Sequence, residues 1–375
     1  MKKPQNRSST TTSAPNTTFK QYRKENEQVE ELRRTAETLS RQLSKAKFQL
    51  ADVSRLKSDN EALQSRVDLL ERIDCIVPEP PKWTQPKASK GALHQGMPSL
   101  LLSDSHWDEI VKLEEVEGVN KYDREIAILR LKKTLSGTID VLRNYFSGLK
   151  YEGMTLLLGG DHFSGNIHEE LQQTNEDTIY GSLDFWSDQL AAFIGSLADE
   201  FGKLHIAGVV GNHGRNTRKP RAKLRVRDNL DWLLFRIVAR AFKDDPRITW
   251  QIPESADCNV KLYNTTYRLT HGDQFRGGSG IAGMLSPLML GSYRKTRRQM
   301  TLKNLFEWLV ICHWHQYWVG KGIIVNGSLK GYDEYSYLSN FDFERPTQAV
   351  WVTTPENGMT FPAGIFADDR CAEGW

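Results

Sequence analysis

An α/β body preceded by a long helical arm is the fold class this sequence predicts, and three patterns carry the prediction. Short apolar runs alternate with amphipathic helical stretches over the C-terminal two thirds, as in a body whose sheets are largely covered by helices. A seam of apolar residues at steps of three and four occupies the N-terminal part. A proline-rich stretch lies between the two and marks the domain boundary.

The elements follow in order. Residues 1–19 are rich in Ser, Thr, Asn and Pro with almost nothing to bury, and are expected to be a disordered tail. Over residues 20–74, Val29, Leu32, Ala36, Leu39, Leu43, Ala46, Leu50 and Val53 form a coiled-coil seam, which Leu56, Asn60, Leu63, Val67 and Leu70 continue in shifted phase. The consecutive three-residue steps from Leu50 to Val53 to Leu56 are a stammer that overwinds the supercoil. Asn60 takes an a-type position, where a buried amide fixes register. The seam points to a homo-oligomer or a partner coil through residues 25–74; the alternative is a single amphipathic helix packed on the body. Residues 75–96 read as a semi-rigid linker, because proline removes backbone donors and restrains its neighbour. Residues 97–375 form the body, with strands expected in "PSLLLSD", "MTLLLGGD", "KLHIAGVVGNH", "YRLTHGD", "LFEWLVICHWH", "GIIVNGSL" and "QAVWVTT".

Composition narrows the classes of function. Of 375 residues, 39% are apolar and 26% charged, which suits a water-exposed globular protein, and the net charge of +3 makes no global case for a polyanion partner. Four cysteines, Cys75, Cys258, Cys312 and Cys371, are widely spaced, so neither a disulfide framework nor a zinc knuckle is expected. The N-terminus lacks the apolar core of a signal peptide, and no uncharged run is long enough to cross a bilayer. A cytoplasmic protein without a membrane partner is the resulting expectation.

The polar residues at the strand ends hold the chemistry. Asp104 and His106, Asp161, Asn212 and His213, His271, and the pair His313 and His315 each directly follow an expected strand, where open α/β sheets place ligands. Each has an ordinary alternative. Asp104 and Asp161 can cap a helix or make an Asx turn, Asn212 can serve a turn, and His271, His313 and His315 can be satisfied core side chains. Five strand ends carrying such residues, with five of the nine histidines among them, outweigh those readings together. Mixed oxygen and imidazole donors suit divalent ions, and one bridging carboxylate would bring two ions close enough for phosphoryl hydrolysis.

With these motifs in this order, residues 97–355 resemble the calcineurin-like metallophosphoesterases, whose motifs are Asp-x-His, Gly-Asp-x-x-Asp, Gly-Asn-His-Asp/Glu, an isolated His and Gly-His-x-His. The resemblance implies two facing mixed β-sheets flanked by helices. It further implies that Asp104, His106 and His315 bind one divalent ion and that Asn212, His271 and His313 bind a second, with Asp161 bridging. Mn is the foremost expectation, with Fe, Zn or Mg as alternatives. A metal-bridging hydroxide would attack phosphorus in line, and His213 would serve the leaving oxygen without binding metal. The chain departs from the pattern at three places. Ser164 stands where the second acid of "GDHFS" belongs, Gly214 where an acid follows Gly-Asn-His, and Cys312 where a glycine precedes the final His-x-His. The segment "GSLKGYDEYSY" and the motif spacing are also similar to bacteriophage-encoded members, which would place the protein in the host cytoplasm.

Substrate clues are local. "GRNTRKPRAKLRVRDN" brings Arg215 and Arg218 directly after Gly-Asn-His, and "YRKTRRQMTLK" adds Arg294 and Arg297 after the glycine-rich "FRGGSGIAG". Trp314 lies between the histidines and Tyr332 follows a later strand, so both are candidates to stack on bases. The alternatives are a solvated charged face for the basic stretches and core packing for the aromatics. A DNA nuclease is the leading expectation, with nucleic acid or nucleotide as substrate partner. The alternatives are a small-molecule or cyclic-nucleotide phosphodiesterase or phosphatase, and a coiled-coil assembly protein with a degenerate phosphoesterase body. Removal of residues 1–76 is expected to reduce the oligomer to a monomer in light scattering; an unchanged oligomer excludes the arm as the main assembly element.

Overall fold

The computed structural model describes residues 94–276 and 283–375 continuously, residues 81–84, and a subset of positions between 23 and 60. The chain divides into two compact units, Met1–Asp74 and Cys75–Trp375. In the first unit the described positions are helical, and Leu32, Leu39, Leu43, Leu50, Val53 and Leu56 of the expected seam are exposed. The tail, Val29, Leu63, Val67, Leu70, most of the proline-rich linker, and Gly277, Gly278 and Gly280 lie outside the described residues.

All seven expected runs of the second unit become strands. One mixed sheet contains β1 (Gln95–Leu102), β2 (Lys150–Tyr151), β3 (Met154–Leu158), β4 (Leu204–Gly208) and β5 (Ile248–Gln251). With β11 (Thr347–Thr354) and β12 (Gly358–Phe366) it has the path β12-β11-β1-β3-β4-β5, and β2 pairs with β1 off the path. The run β1-β3-β4-β5 is parallel, whereas β11 joins β1 antiparallel and turns back into β12. The second mixed sheet has the order β6-β7-β8-β10-β9. Its members are β6 (Asp257–Leu262), β7 (Thr265–Thr270), β8 (Trp308–Ile311), β9 (Trp318–Gly320) and β10 (Ile323–Val325). Two mixed sheets flanked by helices are the architecture the resemblance implies.

Side-chain alternation explains the layers. Leu100 and Leu102 of β1 enter the core beneath the helices, while Leu101 points into the core between the sheets. The second sheet repeats the rule: Val310 and Ile324 face the first sheet, and Leu309, Ile311, Ile323 and Val325 pack outward with Leu288. Both faces of these strands are therefore buried, which is why they read as continuous apolar runs rather than alternating ones.

Crossover helices cover the parallel strands. The helix Ile179–Phe201 starts at Thr178, whose hydroxyl accepts the Gly181 N–H, and ends at Gly202 with φ 76°. Its residues Leu190, Phe193, Ile194, Leu197 and Phe201 recur at helical spacing on the buried face. Its Trp186 stacks on Trp107 at 4.5 Å, with the planes 5° apart. The Trp186 indole N–H donates to Asp108 at 3.1 Å, so the helix anchors the loop after β1 that carries Asp104 and His106. No helix among the described residues is long and apolar enough to cross a membrane.

The helix Arg124–Asp140 contributes a fully buried arginine, Arg130. Its guanidinium bonds both Glu373 carboxylate oxygens, at 3.1 and 3.0 Å, the Asn120 amide oxygen at 2.8 Å, and the carbonyls of Leu329 and Lys330. One side chain thus pins the segment after β10 and the C-terminal turn to this helix. Truncating it leaves Glu373 charged and unpaired in the interior. Arg130→Met is expected to cost about 3–5 kcal/mol in urea denaturation, the usual penalty for breaking a buried pair; a loss below about 1 kcal/mol would contradict that role.

Candidate metal centre

Every strand-end residue singled out above lies within five residues of a strand's C-terminal end in its sheet. Asp104 and His106 follow β1, Asp161 follows β3, Asn212 and His213 follow β4, His271 follows β7, and His313 and His315 follow β8. None of the carboxylates caps a helix; their backbone differs from a capping residue's. Asp104 (φ 49°), His106 (φ 45°), Asp161 (φ 52°), His313 (φ 70°) and His315 (φ 55°) are left-handed, a conformation rare for residues with a Cβ. Each such residue costs on the order of 1–3 kcal/mol and persists because the surroundings fix it.

Among the described residues, three groups of potential donors have ligand atoms within 4.8 Å of one another: Asp104, His106 and His315; Asp161, His271 and His313; and His106, Asp161 and His213. Asp161 belongs to two of them. His106 Nε2 and His315 Nε2 face each other at 3.2 Å, with Asp104 Oδ1 3.4 Å from the latter. His271 Nε2 lies 2.8 Å from Asp161 Oδ2 and 3.2 Å from Asn212 Oδ1. Asp104, His106, Asp161 and His271 are buried, while Asn212, His213, His313 and His315 are partly exposed, so the cluster opens to solvent on that side.

This donor set fits divalent ions. Ring nitrogens and carboxylate oxygens converge on shared points, as borderline cations require. His271 Nδ1 is held by the Gly159 carbonyl at 2.8 Å, which leaves Nε2 to face the cluster. His106 Nδ1 is 3.4 Å from the Glu109 carboxylate, which in turn accepts from the buried Lys330 ammonium at 2.7 Å. Clustered charges also shift the protonation equilibria. Burial alone would lower His271, yet the Asp161 carboxylate lifts it to about 10. Burial and the neighbouring His271 bring His313 down to about 4. A bound cation would offset the same Asp161 charge and compete with the proton on His271.

Two departures from the family pattern find local explanations. His213 Nδ1 lies 2.8 Å from the carbonyl oxygen of Ser164, the residue that replaces the second acid, so a backbone atom orients the ring. The His213 backbone N–H donates to the Asp161 carboxylate at 2.6 Å. Cys312 is not among the clustered donors; it is fully buried in the core between the sheets, and burial pushes its thiol up. A Cβ at Gly159 would overlap the Cys312 sulfur, so the small residue in this contact sits on the opposite strand end.

The proposed substrate residues disperse. The Arg215 guanidinium is held by the carbonyls of Asn212 at 2.6 Å, Thr217 at 2.9 Å and Arg218 at 3.1 Å, bracing the Asn212 loop from within. Arg218 is exposed and pairs with Glu169. Arg294 and Arg297 lie exposed on the helix Leu285–Thr301, with Arg297 over the Tyr293 ring. Trp314 packs on the outer core, its ring 6.1 Å from that of His313. The Tyr332 hydroxyl donates to the Phe341 carbonyl at 3.0 Å, and its ring meets Phe343.

Sequence reasoning missed Asp231. Its buried carboxylate accepts the N–H groups of Asp161 at 3.0 Å, His162 at 3.1 Å and Gly211 at 2.9 Å, joining the turns after β3 and β4. The turns approach so closely that a Cβ at Gly211 would overlap the Asp161 carboxylate, and one at Gly160 (φ 88°) would overlap the Gly211 backbone. Burial and the nearby Asp161 charge push Asp231 up to about 6. The only sequence signal was Asn229, two residues earlier, whose amide caps the helix Leu230–Ala241 by accepting from the Asp231 N–H at 2.9 Å. His168, whose ring is 5.9 Å from His213, and the buried pair Glu109 and Lys330 were also passed over.

No family model matches the chain, and no curated protein matches it. Among solved structures it is similar to vacuolar protein sorting 29 from Cryptosporidium parvum, at 12% identity and TM-score 0.28, over 72% of this chain and 96% of that one. It is also similar to a putative 5'-nucleotidase from Staphylococcus aureus in complex with alpha-ketoglutarate, at 9% identity and TM-score 0.34, over 73% of this chain and 55% of that one. Asp231→Asn is expected to weaken Mn²⁺ binding about 10- to 100-fold in calorimetry, the usual effect of removing an outer support of a metal ligand. Full affinity in a folded Asp231→Asn protein would deny Asp231 that function.

Proposed function

We propose that the chain is a divalent-metal-dependent hydrolase of phosphodiester bonds, acting on DNA. The observation that carries the proposal is the convergence of donors from five strand ends on Asp161, with a further histidine, His213, at the solvent-facing edge. In this reading Asp104, His106 and His315 would hold one ion, Asn212, His271 and His313 would hold the other, and Asp161 would serve both. Mn is the first ion to test. Such ions supply Lewis acidity toward a phosphoryl oxygen and toward attacking water.

The protein's own groups supply position and proton handling. With Nδ1 committed to the Ser164 carbonyl, the His213 ring has Nε2 free for an oxygen of the substrate. The bond from the His213 backbone N–H to the Asp161 carboxylate fixes the backbone that carries that ring beside the cluster. Burial of Asp104, His106, Asp161 and His271 excludes water from all but one side and strengthens each charge interaction there.

A polyanionic substrate is supported by cations that the fold leaves unpaired. Arg225 is tied bidentately to Asp273 and Arg227 pairs with Glu254, but Lys219, Arg221 and Lys223 of the same stretch are exposed and make no ion pair among the described residues. They follow the Asn212 loop directly. Strand binding would use them without base specificity.

The test is a Mn²⁺-supplemented panel of single- and double-stranded DNA, RNA, cyclic dinucleotides and simple monoesters. DNA cleavage is expected, abolished by Asp161→Ala and slowed about 10²- to 10⁴-fold in kcat by His213→Ala, the usual share of a proton-transferring side chain. Turnover of small nucleotides without strand cleavage would replace DNA as the substrate. Activity surviving Asp161→Ala would remove the bridging assignment.

A further inference from the structure

Beside the metal cluster lies a second cavity whose chemistry the cluster does not use. The helix Leu285–Thr301, β6 and the segment after β7 enclose a cleft of about 420 Å³. Its wall is apolar at Phe275, Pro287 and Leu290. Its charged lining is dominated by Arg225, Arg276, Arg294, Lys295 and Arg298.

The anionic capacity of the cleft is already taken. Asp257, the carboxylate in its lining, accepts from Lys295 at 2.5 Å, Arg268 at 2.8 Å and Arg298 at 2.8 Å. Arg225 has its own partner in Asp273, at 2.8 and 2.7 Å. Arg276 and Arg294 are exposed and have neither a hydrogen bond nor an ion pair among the described residues. Two guanidinium groups without a partner among the described residues, in one cleft with a neutralised carboxylate and an apolar wall, favour an oxyanion that accepts paired hydrogen bonds, as a phosphate does.

The cleft shares one wall residue with a small cavity that reaches Asn212. That cavity is also lined by Arg221 and Lys223, and Arg225 is a wall of both. Asp273, the partner of Arg225, lies two residues after His271. Lys295 reaches the Thr270 hydroxyl at 3.1 Å, one residue before His271. Arg221, Lys223 and Arg225 thus line the cavity at Asn212, and Arg225, Arg276 and Arg294 line the cleft, with Arg225 common to both.

We infer that this cleft is a phosphate subsite, separate from the metal cluster, that holds a backbone phosphate of a polynucleotide whose scissile bond lies at the cluster. The inference rests on the hydrolase reading for the position of the scissile bond, but not for the binding itself. Arg276 and Arg294 clamp the phosphate, and the apolar wall at Phe275, Pro287 and Leu290 receives the attached sugar or base.

The experiment is fluorescence anisotropy of a labelled twelve-nucleotide single strand with the full chain. A chelator is present so that metal contributes nothing. Arg276→Gln combined with Arg294→Gln is expected to raise Kd about tenfold. It should also reduce the slope of log affinity against log salt by about 0.7, the loss of one neutralised phosphate on a single strand. Lys132→Gln with Lys150→Gln, which removes equal charge from exposed positions elsewhere, should have a much smaller effect on both. Equal losses in the two double variants, or no loss in the first, overturn the subsite. A companion titration uses adenosine diphosphate. Saturable binding lost in the Arg276/Arg294 double variant, with strand affinity unaltered, would make a free nucleotide the occupant and overturn the polymer assignment. Strand binding without cleavage in Mn²⁺ would remove the hydrolase reading and leave the subsite. Cleavage with unaltered affinity in the double variant would do the reverse.

Discussion

Three backbone N–H groups converge on the carboxylate of Asp231, and the candidate site depends on that convergence. They belong to Asp161, His162 and Gly211, residues on turns that leave two neighbouring parallel strands, β3 and β4. A buried carboxylate is costly unless its oxygens are satisfied, and here each oxygen has a donor. Asp231 also sits in the first turn of its helix, where the aligned peptide dipoles favour a negative charge. The helix Leu230–Ala241, by capping itself correctly, sets the distance between Asp161 and the Asn212 loop.

That clamp makes tolerable a concentration of unfavourable backbone geometry. Five of the clustered residues have positive φ, and the strain is distributed over turns whose strands are buried on both faces. The core between the sheets keeps β1, β3 and β4 opposite β7, β8 and β10, so donors from both sheets meet at one end. Cys312 belongs to this packing: its sulfur occupies the room beside Gly159, whose carbonyl in turn fixes His271. Ligand orientation and core packing thus share residues, and a change of volume at Cys312 would act on His271 without touching it.

Local pattern made much of this legible and long-range pairing hid the rest. Each apolar run expected to be a strand is one, because a strand buried on both faces leaves a continuous signature. The polar residues after those runs gather because parallel strands in one sheet end on the same side. Asp231 was not readable, since its partners lie 70 residues before it at Asp161 and 20 before it at Gly211. The basic stretch after His213 misled in part for the same reason. Arg218, Arg225 and Arg227 find carboxylates 49, 48 and 27 residues away, leaving fewer free cations than composition suggested. Tyr332 and Trp314 reflect packing demands that a single sequence does not separate from substrate contact.

The central claim is that two divalent ions share Asp161. An anomalous difference map from crystals loaded with Mn²⁺ tests it most directly. Two peaks are expected, one contacted by Asp104, His106 and His315, the other by Asn212, His271 and His313, with the Asp161 carboxylate touching both. A single peak away from Asp161, or no peak at all, would contradict it.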